Sequence, residues 1–104
     1  MVLPFVVVVA VMVGAVPLIE DLLERGVSIA IATAAGKTNV EYFIRKFDLL
    51  AYFARERIVY NDGTIAGKPA PDLFLEAMRR LGTEDRNTTV FEDSYAGIQA
   101  AENA

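Results

Sequence analysis

From Val16 onward the apolar residues change period several times, and each change marks an element. Val16, Ile19, Leu22 and Leu23 share one face of a helix over 16–25, which Pro17 suits as a first-turn residue and Gly26 is placed to end. Val27 to Thr33 is a short apolar run entering the small-residue loop Ala34-Ala35-Gly36, the pattern of a strand covered on both faces. Thr38 and Glu41 have the spacing of a capping box, and Val40, Phe43, Ile44 and Phe47 recur at helical intervals behind it. Leu49 to Phe53 reads as one more helical turn, Ile58 to Tyr60 as a short strand, and Asn61-Asp62-Gly63 as a turn. Two prolines stiffen the loop Gly67-Lys68-Pro69-Ala70-Pro71-Asp72. Pro71 opens a third helix with Phe74, Ala77, Met78 and Leu81 as its buried stripe and Gly82 past its end. Thr88 to Phe91 then reads as a strand, and 94–104 as a helix with Ser94 as candidate N-cap.

The segment before this alternation has a different character, because Met1 to Ile19 carries no ionisable side chain. It approaches the roughly 20 residues of a membrane-spanning helix. Pro4, Gly14 and Pro17 interrupt it, however, and no Lys or Arg precedes it as a signal peptide requires. Its Val-rich centre, Phe5 to Val13, fits a buried strand about as well as a helix. The expectation is an apolar segment over 1–13, without a catalytic side chain, ahead of a partial core domain over 14–104. Such a segment is an aggregation hazard where exposed, so its deletion is expected to improve solubility.

Strands alternating with helices of about ten residues imply an α/β fold of parallel β-α units, an open Rossmannoid sheet with helices on both faces. In it, Val27 to Ala32 and Thr88 to Phe91 should be adjacent or near-adjacent parallel strands. Such sheets bind ligands beyond the carboxyl ends of their strands. Thr33, Lys68 and the pair Glu92-Asp93 each follow a strand, so the topology brings them toward one edge.

Composition narrows the chemistry. The chain has 104 residues, enough for one domain, and is 54% hydrophobic and 23% charged, so it can bury a core. A net charge of −4 gives no general attraction to nucleic acid or an anionic membrane. The absence of His and Cys excludes disulfides, zinc fingers, thiol nucleophiles and catalytic histidine. Carboxylates, hydroxyls, lysine and backbone remain. Thr33, with Ala34 to Gly36 ahead of a helix start, suits an anion such as phosphate, although Thr and Gly are also ordinary turn residues. Lys68 offers a fixed positive charge or merely a solvated one. Glu92 and Asp93 are hard oxygen ligands suited to Mg²⁺, or an acidic helix cap. Together they form a clamp for a phosphoryl group.

These stretches also carry a resemblance. IAIATAAGKTNVE, GKPAPDLFLEA and VFEDSYAGIQAA resemble, in order and spacing, the second, third and fourth motifs of the haloacid dehalogenase (HAD) superfamily, nearest its phosphoglycolate phosphatase and β-phosphoglucomutase branch. The resemblance spans about 14–104. It implies that Thr33 binds the transferring phosphoryl group, with Ala34 and less directly Asn39 beside it. Lys68 neutralises that group and orients the nucleophile, and Glu92 and Asp93 hold Mg²⁺. It further implies a small phosphorylated metabolite as substrate, an aspartyl-phosphate intermediate and a cytoplasmic setting, with oligomeric state open.

One family feature is missing: members begin with a strand ending in Asp-x-Asp, whose first Asp attacks phosphorus, followed by a mobile cap. No Asp-x-Asp occurs in this sequence, and the chain stops within a helical pattern. The expectation is a fragment that is inactive alone. The alternatives are a non-catalytic phosphate-binding or partner-binding module of the same fold, and a membrane-associated interaction segment built around 1–19.

Overall fold

The computed structural model describes residues 6–9, 15–67, 69–92 and 95–104. Strands and helices alternate along them: β1 (Val6–Val9), α1 (Ala15–Glu24), β2 (Ser28–Ala32), α2 (Lys37–Lys46), β3 (Ile58–Val59), α3 (Asp72–Leu81), β4 (Thr88–Phe91) and α4 (Tyr95–Asn103). The strands form one open parallel sheet in the order β3-β2-β1-β4. The strands carrying the second and fourth motifs therefore lie one strand apart and parallel, as the apolar runs implied.

The intervening strand is the apolar amino-terminal stretch. Val9 is level with Ile31 of β2 on one side and Phe91 of β4 on the other. The choice between strand and helix is thus settled as strand over Val6–Val9, and this strand is central to the sheet. That reverses the expected benefit of deleting 1–13: deletion removes the only strand that joins β4 to β2 among the described residues.

Alternation along β2 divides the core into two layers. Ile29 and Ile31 face Ile19 of α1 and Val40 and Ile44 of α2, together with Leu49, Phe53 and Ile58. Ala30 and Ala32 face Val59, Leu73, Phe74 and Ala77 of α3 and Ala100 of α4. Small residues on this second face let α3 approach closely enough to bury Phe74 completely. Helices cover both faces because β2 is apolar on both.

Several helix details differ from the sequence reading. The N-cap of α2 is Gly36, without a side-chain cap hydrogen bond. Thr38 lies one residue inside the helix, and Glu41 pairs with Arg55 at 2.8 Å across to the following turn. The capping box does not form because the Thr33 to Gly36 turn carries the chain into the helix two residues earlier than the box would. Leu23 and Phe47, at the far ends of their apolar stripes, are half-exposed, while Leu73, outside the predicted stripe, is fully buried. Gly82 ends α3 in the left-handed conformation, with φ 68°, accepting the role that its position past the helix implied.

Candidate functional site

Thr33 follows β2 at the carboxyl edge of the sheet. Its N–H donates to the Val59 carbonyl at 2.9 Å, carrying the β2–β3 ladder beyond the strand. Its Oγ1 accepts the Ala35 N–H at 3.1 Å, a local turn that fixes the hydroxyl while leaving its own proton to be donated elsewhere. The Asn61 N–H, from the loop after β3, donates to the Ala35 carbonyl at 3.1 Å. The phosphate-sized turn is therefore pinned from both sides. Thr33 is half-buried, Ala34 is exposed, and Asn39 is exposed in the first turn of α2. Without a side-chain cap, the first N–H groups of α2 present the positive end of the helix dipole beside this turn.

Glu92 follows β4 at the same edge and is half-buried. Because β2 and β4 flank β1 in parallel register, Thr33 and Glu92 leave the sheet two strand spacings apart, roughly 10 Å between backbones. Of the other candidates, Lys68 and Asp93 lie outside the described residues, as does Ser94. The loop around Lys68 is anchored on either side: Ala70 N–H donates to the Gly67 carbonyl at 3.0 Å, and Asn103 of α4 donates to the Pro69 carbonyl at 3.3 Å.

The loop after β3 is shaped by two local turns. Asn61 Oδ1 accepts the Gly63 N–H at 3.0 Å, and Asp62 Oδ1 accepts the Thr64 N–H at 2.8 Å. The Thr64 hydroxyl, followed by its N–H, holds the Asp62 carboxyl below the ordinary carboxylate range. Asn61 looked like a plain turn residue in the sequence; its backbone bond to Ala35 makes it part of the site's support. Nothing local in the sequence signals that bond, since it joins two loops.

Among the described residues no group of three carboxylates is gathered for a metal. The donors expected from the sequence are the carboxylates of Glu92 and Asp93, of which Glu92 lies among the described residues. That set fits Mg²⁺, which takes one or two carboxylates and completes its shell with water and substrate phosphate.

Parallel strands followed by Thr33 and Glu92 set an architecture that comparison with known proteins identifies. The sequence profile of the haloacid dehalogenase-like hydrolases matches residues 4–104. The chain belongs to that family. It is 31% identical to the phosphorylated carbohydrates phosphatase of Thermotoga maritima over 86 residues, covering 83% of this chain and 39% of that protein. It is 29% identical over 82 residues to the β-phosphoglucomutase of Mycobacterium tuberculosis, covering 79% of this chain and 31% of the relative. The crystal structure of a HAD hydrolase, family IA, variant 3, from Entamoeba histolytica superposes with a TM-score of 0.83 at 40% identity, covering 88% of this chain and 41% of that one. The chain thus spans less than half the length of these HAD relatives. Among its described residues no helix is long and apolar enough to cross a membrane.

Proposed function

We propose that the chain is the phosphoryl-binding part of a Mg²⁺-dependent phosphohydrolase or phosphomutase that acts on a small phosphorylated metabolite through an aspartyl-phosphate intermediate. By itself it binds without turning over. The reading rests above all on Thr33 and Glu92 standing at one edge of a parallel sheet, on either side of β1. The Thr33 hydroxyl, its oxygen already engaged by Ala35, donates to a phosphoryl oxygen. The Ala34 N–H and the start of α2, with Asn39, add donors on the same side. Lys68 offsets the phosphoryl charge and orients the attacking carboxylate. Glu92 and Asp93 would hold Mg²⁺, which when bound offsets the charge that builds on the transferring group. None of these groups forms the in-line bond to phosphorus. That step needs a carboxylate, and the sequence contains no Asp-x-Asp to provide the family's pair.

The related proteins include a phosphatase and a phosphomutase, so the shared chemistry, phosphoryl transfer, is what is assigned. The missing Asp-x-Asp equally favours a second reading, a non-catalytic phosphate-binding or partner-binding module. One experiment separates them. The 104-residue chain should hydrolyse an aryl phosphate no faster than a blank. With segment 1–13 replaced by one that carries the two aspartates just past its central strand, Mg²⁺-dependent turnover should appear, and Asp93→Asn or Lys68→Ala should lower it by about 10² to 10³. Turnover by the unsubstituted chain that survives Asp93→Asn would refute the assignment. A folded chain with the replaced segment that never turns over would leave the module reading.

A further inference from the structure

α4 reads Tyr95-Ala96-Gly97-Ile98-Gln99-Ala100-Ala101-Glu102-Asn103, an alanine-rich helix with one glycine buried in its first turn. Glycine within a helix costs about 1 kcal/mol relative to alanine, so its presence calls for a reason. Backbone conformation does not provide one: Gly26, Gly63 and Gly82 have positive φ, and Gly97 does not. Space does. A Cβ built on Gly97 would fall within the volume of the Glu92 side chain, against its Cγ, Cδ and Oε2. Gly26, Gly36, Gly63, Gly67 and Gly82 have nothing within 4 Å of such a Cβ.

We infer that Gly97 is a positioning residue for Glu92: the bare backbone of the first turn of α4 is the floor on which the Glu92 carboxylate lies, and this sets where that carboxylate meets the metal. The metal half of the inference rests on the proposed function; the contact itself does not. The nearest atoms to the added Cβ all belong to the movable Glu92 side chain, so a methyl group there displaces the carboxylate and spares the backbone. To regain ordinary contact, about 3.5–4 Å between carbons, the carboxylate must shift by more than about 1 Å. Sites of this kind tolerate roughly 0.5 Å. Loss of a residue that orients a ligand from behind commonly weakens metal binding by about 10- to 100-fold.

The test uses the 104-residue chain and its Gly97→Ala, Glu92→Asp and double variants. Three quantities are read: thermal midpoint, the metal-free nuclear Overhauser contact between Glu92 Hγ and the residue 97 Hα, and Mn²⁺ affinity from paramagnetic broadening. Gly97→Ala should hold or raise the midpoint, abolish the contact and weaken Mn²⁺ binding about 10- to 100-fold. Glu92→Asp, one methylene shorter, should weaken binding when residue 97 is Gly but restore part of it when residue 97 is Ala. A merely structural glycine would not produce that reversal. Gly97→Ala with the contact and the affinity intact overturns the inference. So does unfolding of that variant, because the methyl group would then be meeting the backbone. If the unsubstituted chain shows the contact and Gly97→Ala abolishes it, yet neither binds Mn²⁺, the positioning stands and the metal role of Glu92 is the part that fails.

Discussion

Replacing Val8 with proline tests whether the apolar stretch is the centre of the sheet. A strand paired on both sides points every backbone N–H at one neighbour or the other, and Val8 is level with Ala30 of β2 and Val90 of β4. Proline removes that N–H and sets its ring against the ladder, so it is otherwise confined to edges and bulges. An acceptor left unpaired in a buried sheet costs about 1–3 kcal/mol. Ile29 to Ala32 of β2 are at most 2% exposed, so water cannot replace the lost partner on that side. With the ring clash, the total is about 3–5 kcal/mol, against roughly 5–15 kcal/mol for a whole domain. At about 4–8 °C per kcal/mol, the thermal midpoint should fall by about 12–40 °C. Circular dichroism melts measure this, and hydrogen exchange adds a local readout: Val90 should lose protection first, since β1 is the only strand paired with β4 among the described residues. Ala54→Pro is the control, an exposed position whose φ of −63° already suits proline, and it should be neutral or slightly stabilising. A Val8→Pro chain that melts with the unsubstituted one would refute the central placement of β1.

Two further perturbations probe the packing and the surface. Phe74→Ala should cost about 3–5 kcal/mol in urea denaturation because Phe74 is fully buried, whereas Leu75→Ala, 46% exposed in the unsubstituted chain, should stay within about 0.5 kcal/mol; equal effects would contradict the placement of α3. Arg79 and then Arg80 donate to the Glu76 carboxylate, holding its pKa at about 2 instead of 4.5. Because the folded pKa lies below the unfolded one, the stabilisation is present above pH 4.5 and is lost as pH falls toward 2. Its size is roughly 1 kcal/mol, that of a well-formed surface ion pair. Glu76→Gln should flatten stability over that pH interval, and an unchanged profile would show that the ion network contributes nothing.

How much of this was legible in the sequence depended on whether a feature was local. The helix over Pro71 to Gly82 announces itself through period, an opening proline and a terminal glycine, and the helix after Thr33 through period alone, all local signals. β2 was recognisable as a buried strand, but a run apolar on both faces does not say which residues meet which helix. The Ile/Ala alternation decides that, and it has meaning only once α3 is seen to need room for Phe74. The Val-rich start was ambiguous because Val serves a strand and a buried helix alike, and only pairing with β2 and β4 resolves it. Thr33 and Glu92 were readable as strand-end residues. The Asn61 N–H to Ala35 bond and the Glu92 contact with Gly97 were not, since each joins segments through space.

The same topology separates what stabilises the site from what would complete it. β2 and β4 each carry polar groups just past their ends, Thr33 on one and Glu92 on the other, while β1 between them is valine throughout its paired length. A strand paired on both sides gains by being apolar and β-branched, and nothing in that requirement reaches beyond the strand's own length. Under the proposed function, attack on phosphorus makes the opposite demand, for a carboxylate in line with a group held between the two flanking strands. Body and end of the central strand can therefore be varied independently. A chain that keeps the valine body retains its sheet and its flanking donors, so any phosphate it binds without hydrolysing measures the clamp alone. Catalysis gained by supplying aspartates then measures the attack, without the two contributions being confounded by a change of fold.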